Sequence, residues 1–556
     1  MATRPSVSGG TRAELVFGVG YLVVTLLSFP HPVFGTVIDL GIAASWLSPA
    51  FLLLSTSDRS PGSAALRGLG LGLVAHAGVL HWAYVVTVHY GNAHPLLGVL
   101  APFGMALYPA LFTAAFAASA AWLVSRGAGS LFVLAALWVA LDHGRSWFLG
   151  GFPWATIGYA QHLNRWLLGI VTVTGVYGLS FAVALGGATL ARIARERRLS
   201  REAALALGVV IGLHLLGPWM RAAEPGPDAP SLRIAAVQGN VDQRELWSPA
   251  RFERTLDEYE QGTRAAGARG ARIAVWPESA VAAAVEYEYE VQQRIEALAR
   301  ETRSVLVFGS VGTAVHAEGG IAYQDSAFAV DANGEWIGRY DKTHLVPFGE
   351  YVPLRWLIGR IATALATGIS SRDILPGERP ASVTLRLEDP VMSGLESAPP
   401  SGLRIPPVSS VRVGIPICYE LLFPDLVRRF VRDGAGVLLA ITNDAWYGRT
   451  GAPYQFLAMT ALRSAETGLW TVRAANTGVS AAIDASGRVR ERTRIFEPAL
   501  LVADVPLRAA GSPPTFYVRF GDLFAEACWG AVAVAFGWGF RRGRRAGTRS
   551  QQLGGE

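Results

Sequence analysis

The sequence predicts a polytopic α-helical membrane domain of about eight spans joined to a layered α/β sandwich. Three observations lead there. The chain has 556 residues, more than one ordinary globular domain needs. It is 51% hydrophobic and only 17% charged, whereas soluble domains carry roughly 25% charged residues. The charge is also unevenly placed: residues 14–219 are mostly apolar, and residues 231–508 have the composition of a soluble domain. The expected divisions are a seven-helix transmembrane domain at 1–220, an α/β domain at 231–508 and a last transmembrane helix at 520–541.

A membrane-crossing helix needs about 20 mostly apolar residues. Stretches of that kind are 14–29, 37–56, 66–90, 95–124, 130–150, 167–191, 203–219 and 524–540. The first has no small-residue cleavage site and is followed at once by others, so it reads as a retained span rather than a signal peptide. Pro102 and Pro109 interrupt the fourth, which is expected to tilt or break there. Orientation follows from basic residues in short loops. Arg4 and Arg12, then Arg59, Arg126, and the cluster Arg192, Arg195, Arg197, Arg198 and Arg201 fall on one side. The opposite loops, 30–36, 91–94 and 151–166, hold only Arg165. Both termini are therefore expected in the cytoplasm and residues 220–523 outside. Asp142, His143 and Arg145 close the fifth span, either as an interfacial cluster reaching water or as functional charges within the membrane.

The net charge of +6 does not point to nucleic acid, because the arginines gather in loops beside apolar segments, with Arg541, Arg542, Arg544 and Arg545 after the last one. Two cysteines, Cys418 and Cys528, one in each part, do not make a disulfide framework.

In the α/β part, Leu232–Val237, Ile273–Trp276, Val305–Ser310, Val411–Ile417 and Gly436–Ile441 read as strands, and Asn333-Gly334 as a hairpin turn. Helical runs lie near 250–267, 287–302, 423–433 and 454–467. Glu278, Cys418 and Asn443 each follow the C-terminal end of a strand, the edge where α/β sheets bind ligands. Residues 354–370 are apolar in a polar context, a lid, a membrane-dipping arm or a core helix. Residues 386–410 are rich in Pro, Ser and Gly and read as an exposed loop.

A useful cysteine needs a base or a cation close by, since the thiolate is its reactive form. Lys342 is the only lysine among 49 lysines and arginines. An ammonium is a compact charge whose pKa shifts readily, which a guanidinium cannot offer. Glu278, after Val275-Trp276-Pro277, is the candidate base. No ligand cluster suggests a metal, and no cofactor is expected.

These three motifs resemble the nitrilase superfamily in order, spacing and strand-end placement. With seven spans before and one after, the chain resembles the apolipoprotein N-acyltransferase family over nearly its whole length. The shared motifs are Gly151-Phe152-Pro153-Trp154, Gln238-Gly239-Asn240, Trp276-Pro277-Glu278, the stretch from Lys342 to Pro353, Ile417-Cys418-Tyr419-Glu420, Thr442-Asn443-Asp444-Ala445-Trp446-Tyr447-Gly448 and Arg473-Ala474-Ala475-Asn476-Thr477-Gly478. The resemblance implies an α-β-β-α sandwich and a triad of Glu278 as general base, Lys342 as oxyanion stabiliser and Cys418 as nucleophile. It implies that Glu350 orients Lys342 or the substrate amine and that Tyr419, Glu420 and Asn443 support the site. Trp247 and Trp446 would hold lipid chains or serve the core. Trp154, with Tyr159, would face a substrate entrance or join an interfacial aromatic belt. It further implies a phospholipid acyl donor, a diacylglyceryl lipoprotein acceptor, a monomeric enzyme in a bacterial inner membrane and a periplasmic catalytic domain. The rival enzyme is a membrane-tethered amidase sharing the triad; a transporter or scaffold would place no chemical demand on these residues.

Overall fold

Three helices of the apolar part begin in the same way. Ser60, Ser130 and Ser200 sit in extended backbone, and each side chain accepts a hydrogen bond from the N–H three residues on, satisfying one of the donors that a helix start leaves open. The computed structural model describes residues 7–56, 58–226, 228–315, 319–352, 373–387, 408–508 and 511–553. The stretch at 354–370 lies outside the described residues, as does nearly all of the loop at 386–410.

The chain divides into two compact units. One comprises residues 1–84, 96–221 and 520–556, the other 85–95 and 222–519. In the first unit, four helices are long and apolar enough to cross a membrane among the described residues: Pro95–Ser125, Val176–Glu196, Arg201–Met220 and Leu523–Arg544. The bent pair Pro61–Val79 and Ala83–Tyr90 makes a fifth if it is one span. That differs from the eight expected, for local reasons. The 37–56 stretch is two helices, Gly41–Ala44 and Leu47–Thr56. The 66–90 stretch turns by 70° after Val79. The fifth stretch is helical only over Leu131–Gly144, and Leu149 then takes a φ of 50°. The sixth breaks at Gly175, whose φ of 61° suits a residue without a Cβ, before Val176–Glu196 begins. The helix Pro95–Ser125 instead runs through both Pro102 and Pro109. Hydropathy reads apolar content and not these local turns.

The charges closing the fifth stretch do not reach water. Asp142 and Arg145 are 8% and 3% exposed and pair at 3.1 Å. Ser180 Oγ donates to Asp142 and the Arg145 guanidinium to Thr156. Further hydrogen bonds of this kind help to offset the cost of burying an ion pair. His143 instead faces Asp522 at 3.5 Å and Trp529.

In the second unit the strands are numbered in chain order: β1 Ser231–Gln238, β2 Ile273–Val275, β3 Val281–Ala284, β4 Val305–Val315, β5 Ile321–Val330, β6 Trp336–Asp341, β7 Val383–Arg386, β8 Ser410–Gly414, β9 Val437–Thr442, β10 Thr471–Ala475, β11 Ala481–Ile483, β12 Val489–Arg492 and β13 Ala499–Pro506. They form two sheets. One runs β13-β1-β2-β4-β5-β6, with β3 also against β4; the other runs β12-β11-β10-β9-β8-β7. The inner strands β1, β2 and β4 are parallel, as are β8, β9 and β10. Strands β9 and β10 are buried at every position, the burial expected of parallel strands covered on both faces. Helices Pro249–Ala268 and Tyr289–Thr302 place Leu256, Tyr259, Ile295 and Leu298 on the first sheet, in one core with Trp276, Phe308 and Phe328. Burying such side chains supplies roughly 1.5–3 kcal/mol each. Helix Ala452–Thr467 is buried at every position but Tyr454.

The two sheets are stitched by polar side chains at one edge. Asn476, after β10, donates from Nδ2 to the Val241 carbonyl and accepts from the Val241 N–H on Oδ1, both at 2.8 Å. The Gln238 amide, at the end of β1, donates to the carbonyls of Arg494 and Glu497 and accepts from Ser480. Buried amides satisfied on every side fix register more tightly than apolar contacts do. This is the edge where Glu278, Cys418 and Asn443 lie.

Candidate active site

Glu278 follows β2 and the rigid Trp276-Pro277 step. Its loop passes over Gly309 so closely that a Cβ there would come 2.7 Å from Glu278 Cα. Lys342 follows β6, held by its own N–H on the Asp325 carbonyl at 2.8 Å. Cys418 ends the extension of β8 and opens a 3₁₀ turn, Cys418–Leu422. Its φ is 46°, in the left-handed region that residues with a Cβ rarely occupy. Ser279, Asn240 and Phe348 share that conformation nearby in sequence to the other site motifs. Such strain is characteristic of functional sites and costs on the order of 1–3 kcal/mol per residue.

These side chains converge. Lys342 is fully buried, and its ammonium donates to Glu278 Oε1 at 2.8 Å, Asp325 Oδ2 at 3.0 Å and Glu350 Oε1 at 2.6 Å. One oxygen of each of the three acids lies within 4.8 Å of the others, and the ammonium supplies the cation that such a cluster demands. The second oxygen of Glu278 accepts the Asn443 backbone N–H at 2.8 Å. The second oxygen of Glu350 accepts the Val346 N–H at 2.8 Å. The Cys418 thiol lies in the fields of the Glu278 carboxylate and the Lys342 ammonium.

Protonation follows from this geometry. Burial first, then the Glu278 charge, push the Cys418 thiol well above the usual range, and the Lys342 charge only partly opposes them. The resting nucleophile is a thiol, and it needs a base. Burial alone would lower the Lys342 ammonium, but Glu278, Glu350 and Asp325 together raise it well above its usual value, so it stays charged. Burial raises Glu350 as well, against the Lys342 charge. Asp325 is pushed up to about 7, by burial first; Lys342 opposes and Glu278 adds.

Glu420 braces the site from behind. It is fully buried. Oε1 accepts from the Tyr340 hydroxyl at 2.6 Å, the Thr343 N–H at 2.7 Å and the Thr343 hydroxyl at 2.9 Å; Oε2 accepts the Ile417 N–H at 2.9 Å. It thus ties the Lys342 segment to the Cys418 turn. Tyr419 is buried, with His344 and Phe423 at ring distances of 5.7 and 5.2 Å. The Asn443 amide donates to Gln243 Oε1 at 2.6 Å and accepts from Asn476.

Three tryptophans stand apart from this cluster. Trp247 and Trp446 are 54% and 40% exposed, and Trp446 meets Tyr90 edge-on at 5.6 Å. Trp154 belongs to the first unit and is 1% exposed, packed on Trp82 at 4.9 Å and on Phe152. Neighbouring rings cover its faces, and Tyr159 is buried too. Sequence reasoning missed Asp325 and Gln243. Asp325 had a signal: an acid placed in the buried run of β5, where an unpaired charge does not survive.

Residues 233–513 match the carbon-nitrogen hydrolase family, so the second unit is a catalytic domain of that class. Residues 22–189 match the apolipoprotein N-acyltransferase N-terminal domain. The apolipoprotein N-acyltransferase of Geobacter metallireducens is 36% identical over 547 residues, 97% of each chain. That of Azotobacter vinelandii is 34% identical over 512 residues, 90% of each chain. The chain belongs to the apolipoprotein N-acyltransferase family and is an acyltransferase. Among solved structures, an amidase from Nesterenkonia sp. is similar at 20% identity and a TM-score of 0.35, covering 54% of this chain and 96% of that one.

Proposed function

We propose that this protein transfers a fatty acyl chain from a phospholipid, through a thioester on Cys418, to the α-amine of the S-diacylglyceryl-cysteine at a lipoprotein N-terminus. The observation that carries the reading is Glu278: one oxygen on the Lys342 ammonium, the other on the Asn443 N–H, and the buried Cys418 thiol within the field of the same carboxylate.

In the first half-reaction Cys418 Sγ attacks the ester carbonyl as Glu278 takes the thiol proton. The tetrahedral oxyanion is stabilised by Lys342 and a backbone N–H beside Cys418; donors of this kind supply several kcal/mol. Collapse breaks the ester C–O bond, the Glu278 proton passes to the departing oxygen, and lysophospholipid leaves. In the second half-reaction the α-amine attacks the thioester, Glu278 accepts its proton, and the Cys418 sulfur departs and is reprotonated. This is ping-pong covalent catalysis. Glu350 orients Lys342, Glu420 and Tyr419 hold the Cys418 turn, and Asn443 holds Glu278. Trp247 and Trp446, exposed and aromatic, are suited to contacting acyl chains.

The setting we propose is a bacterial inner membrane, with both termini cytoplasmic, the catalytic domain periplasmic and the enzyme monomeric. The arginine asymmetry of the loops supports the orientation. Both substrates are lipids, and drawing an acyl chain through water costs about 0.8 kcal/mol per CH₂ exposed; anchoring the catalyst in the same bilayer removes that cost. Excluding water from the thioester favours the amine over hydrolysis.

The test supplies phospholipid vesicles and a synthetic diacylglyceryl-cysteine peptide to the purified full chain. N-acylated peptide with lysophospholipid is the expected product. Free fatty acid with unmodified peptide makes the enzyme a hydrolase and overturns the proposal.

A further inference from the structure

Three carboxylates around one ammonium leave an excess of negative charge. With Glu278, Asp325 and Glu350 all ionised, the buried group around Lys342 would carry two uncompensated negative charges, and burial makes uncompensated charge expensive. A proton relieves part of this, and the geometry says where it goes. One oxygen of each acid lies within 4.8 Å of the others, and carboxylates crowded so closely do not all ionise, so one of them keeps a proton. Glu278 is the better anion of the two, because both its oxygens accept from charged or backbone donors, Lys342 and the Asn443 N–H. Among the described contacts the Asp325 carboxylate accepts from Lys342 alone. The proton therefore rests mainly on Asp325.

We infer that Asp325 is a positioning residue of the acylation step: by holding that proton it leaves Glu278 ionised as the base and keeps the Lys342 ammonium from being over-neutralised before the oxyanion forms. The inference rests on the acyl-transfer reading. The charged and titratable groups facing Asp325 are Glu278, Lys342 and Glu350, with Cys418 beyond them and Asp444 and Tyr447 interacting with the thiol. When Asp325 loses its proton, a further full negative charge sits 3.0 Å from Lys342 and competes with the oxyanion for it. Acylation therefore slows as pH rises through the ionisation of Asp325, which burial places at about 7.

The experiment measures the single-turnover rate of Cys418 acylation by phospholipid vesicles, read by intact mass, from about pH 6 to about pH 9, for the wild type and D325N. The acceptor is omitted so that its amine does not enter. The wild-type rate falls several-fold across this range, and the D325N rate stays level within about twofold, because the amide keeps a partner for Lys342 and cannot ionise. A wild-type rate that does not fall, an unmoved alkaline limb in D325N, or a folded D325N inactive at every pH overturns the inference. If D325N does not fold, infrared spectra of the wild type decide: a protonated-carboxyl C=O band that disappears near neutrality supports the assignment, and its absence overturns it. A wild type that forms no Cys418 adduct at any pH fails the acyl-transfer reading itself, which separates the two failures.

Discussion

Lys342 Nζ lies 2.8 Å from Glu278 Oε1, and neither residue is more than 7% exposed. The base and the cation that would face the oxyanion are thus joined before substrate arrives. An ammonium fits between three carboxylate oxygens that lie within 4.8 Å of one another; a planar guanidinium does not. That contrast accounts for the single lysine in an arginine-rich chain.

The substitution Lys342→Ala is expected to lower the rate of thioester formation by about 10²–10³-fold, the usual effect of removing one oxyanion donor. Lys342→Arg should lose at least tenfold, since its geometry and its number of donors are wrong for the site. Single-turnover acylation measures both. A Lys342→Ala variant keeping a tenth of the wild-type rate would remove Lys342 from the chemistry.

Glu278→Gln separates ionisation of the thiol from its use. The Glu278 charge raises the Cys418 thiol, after burial, which raises it most. Removing that charge lowers it. In E278Q the pH midpoint of Cys418 alkylation by a small haloacetamide should therefore fall below that of the wild type, while acylation by phospholipid is lost. A midpoint that stays put or rises contradicts the protonation scheme.

Glu420→Gln should destabilise the fold without touching substrate. The carboxylate accepts from Tyr340, Thr343 and Ile417, and an amide would turn a donor toward one of these donors. Leaving buried groups unpaired costs on the order of 1–3 kcal/mol each. The apparent Tm should drop and acylation slow together, as the Cys418 turn loosens from the Lys342 segment. A native Tm would show that Glu420 does not brace the site.

Asp325 gives the stability of the enzyme a pH dependence of known sign. Its folded pKa, about 7, is raised above an unfolded value of about 3.9. The stability from that bound proton is complete below the unfolded pKa and is lost as pH rises through about 7. Scans at a fixed heating rate should give a wild-type Tm that falls from about pH 5 to about pH 8, with a smaller fall in D325N.

Much of the site could be read from the chain. Glu278, Cys418 and Asn443 follow strand ends, and a buried strand ending in a polar residue is a local pattern. Lys342 stood out by rarity. Asp325 did not, because it sits within β5 and its meaning depends on which side chain its inward face meets, a contact made across 17 residues. The role of Glu420 was likewise hidden, since four of its five donors come from residues 76 or more positions away. The membrane unit was least legible. A hydropathy window cannot see the 70° bend after Val79 or the break at Gly175, because one glycine or one short turn redirects a helix without changing its mean apolarity.

The most direct measurement is the intact mass of the full chain after brief incubation with vesicles of phosphatidylethanolamine and no acceptor. Wild-type protein should gain the mass of one acyl group, mapped to Cys418 and released by hydroxylamine; Cys418→Ser should gain none. An unmodified wild type, or an acyl group carried on any other residue, would contradict a thioester mechanism at this site.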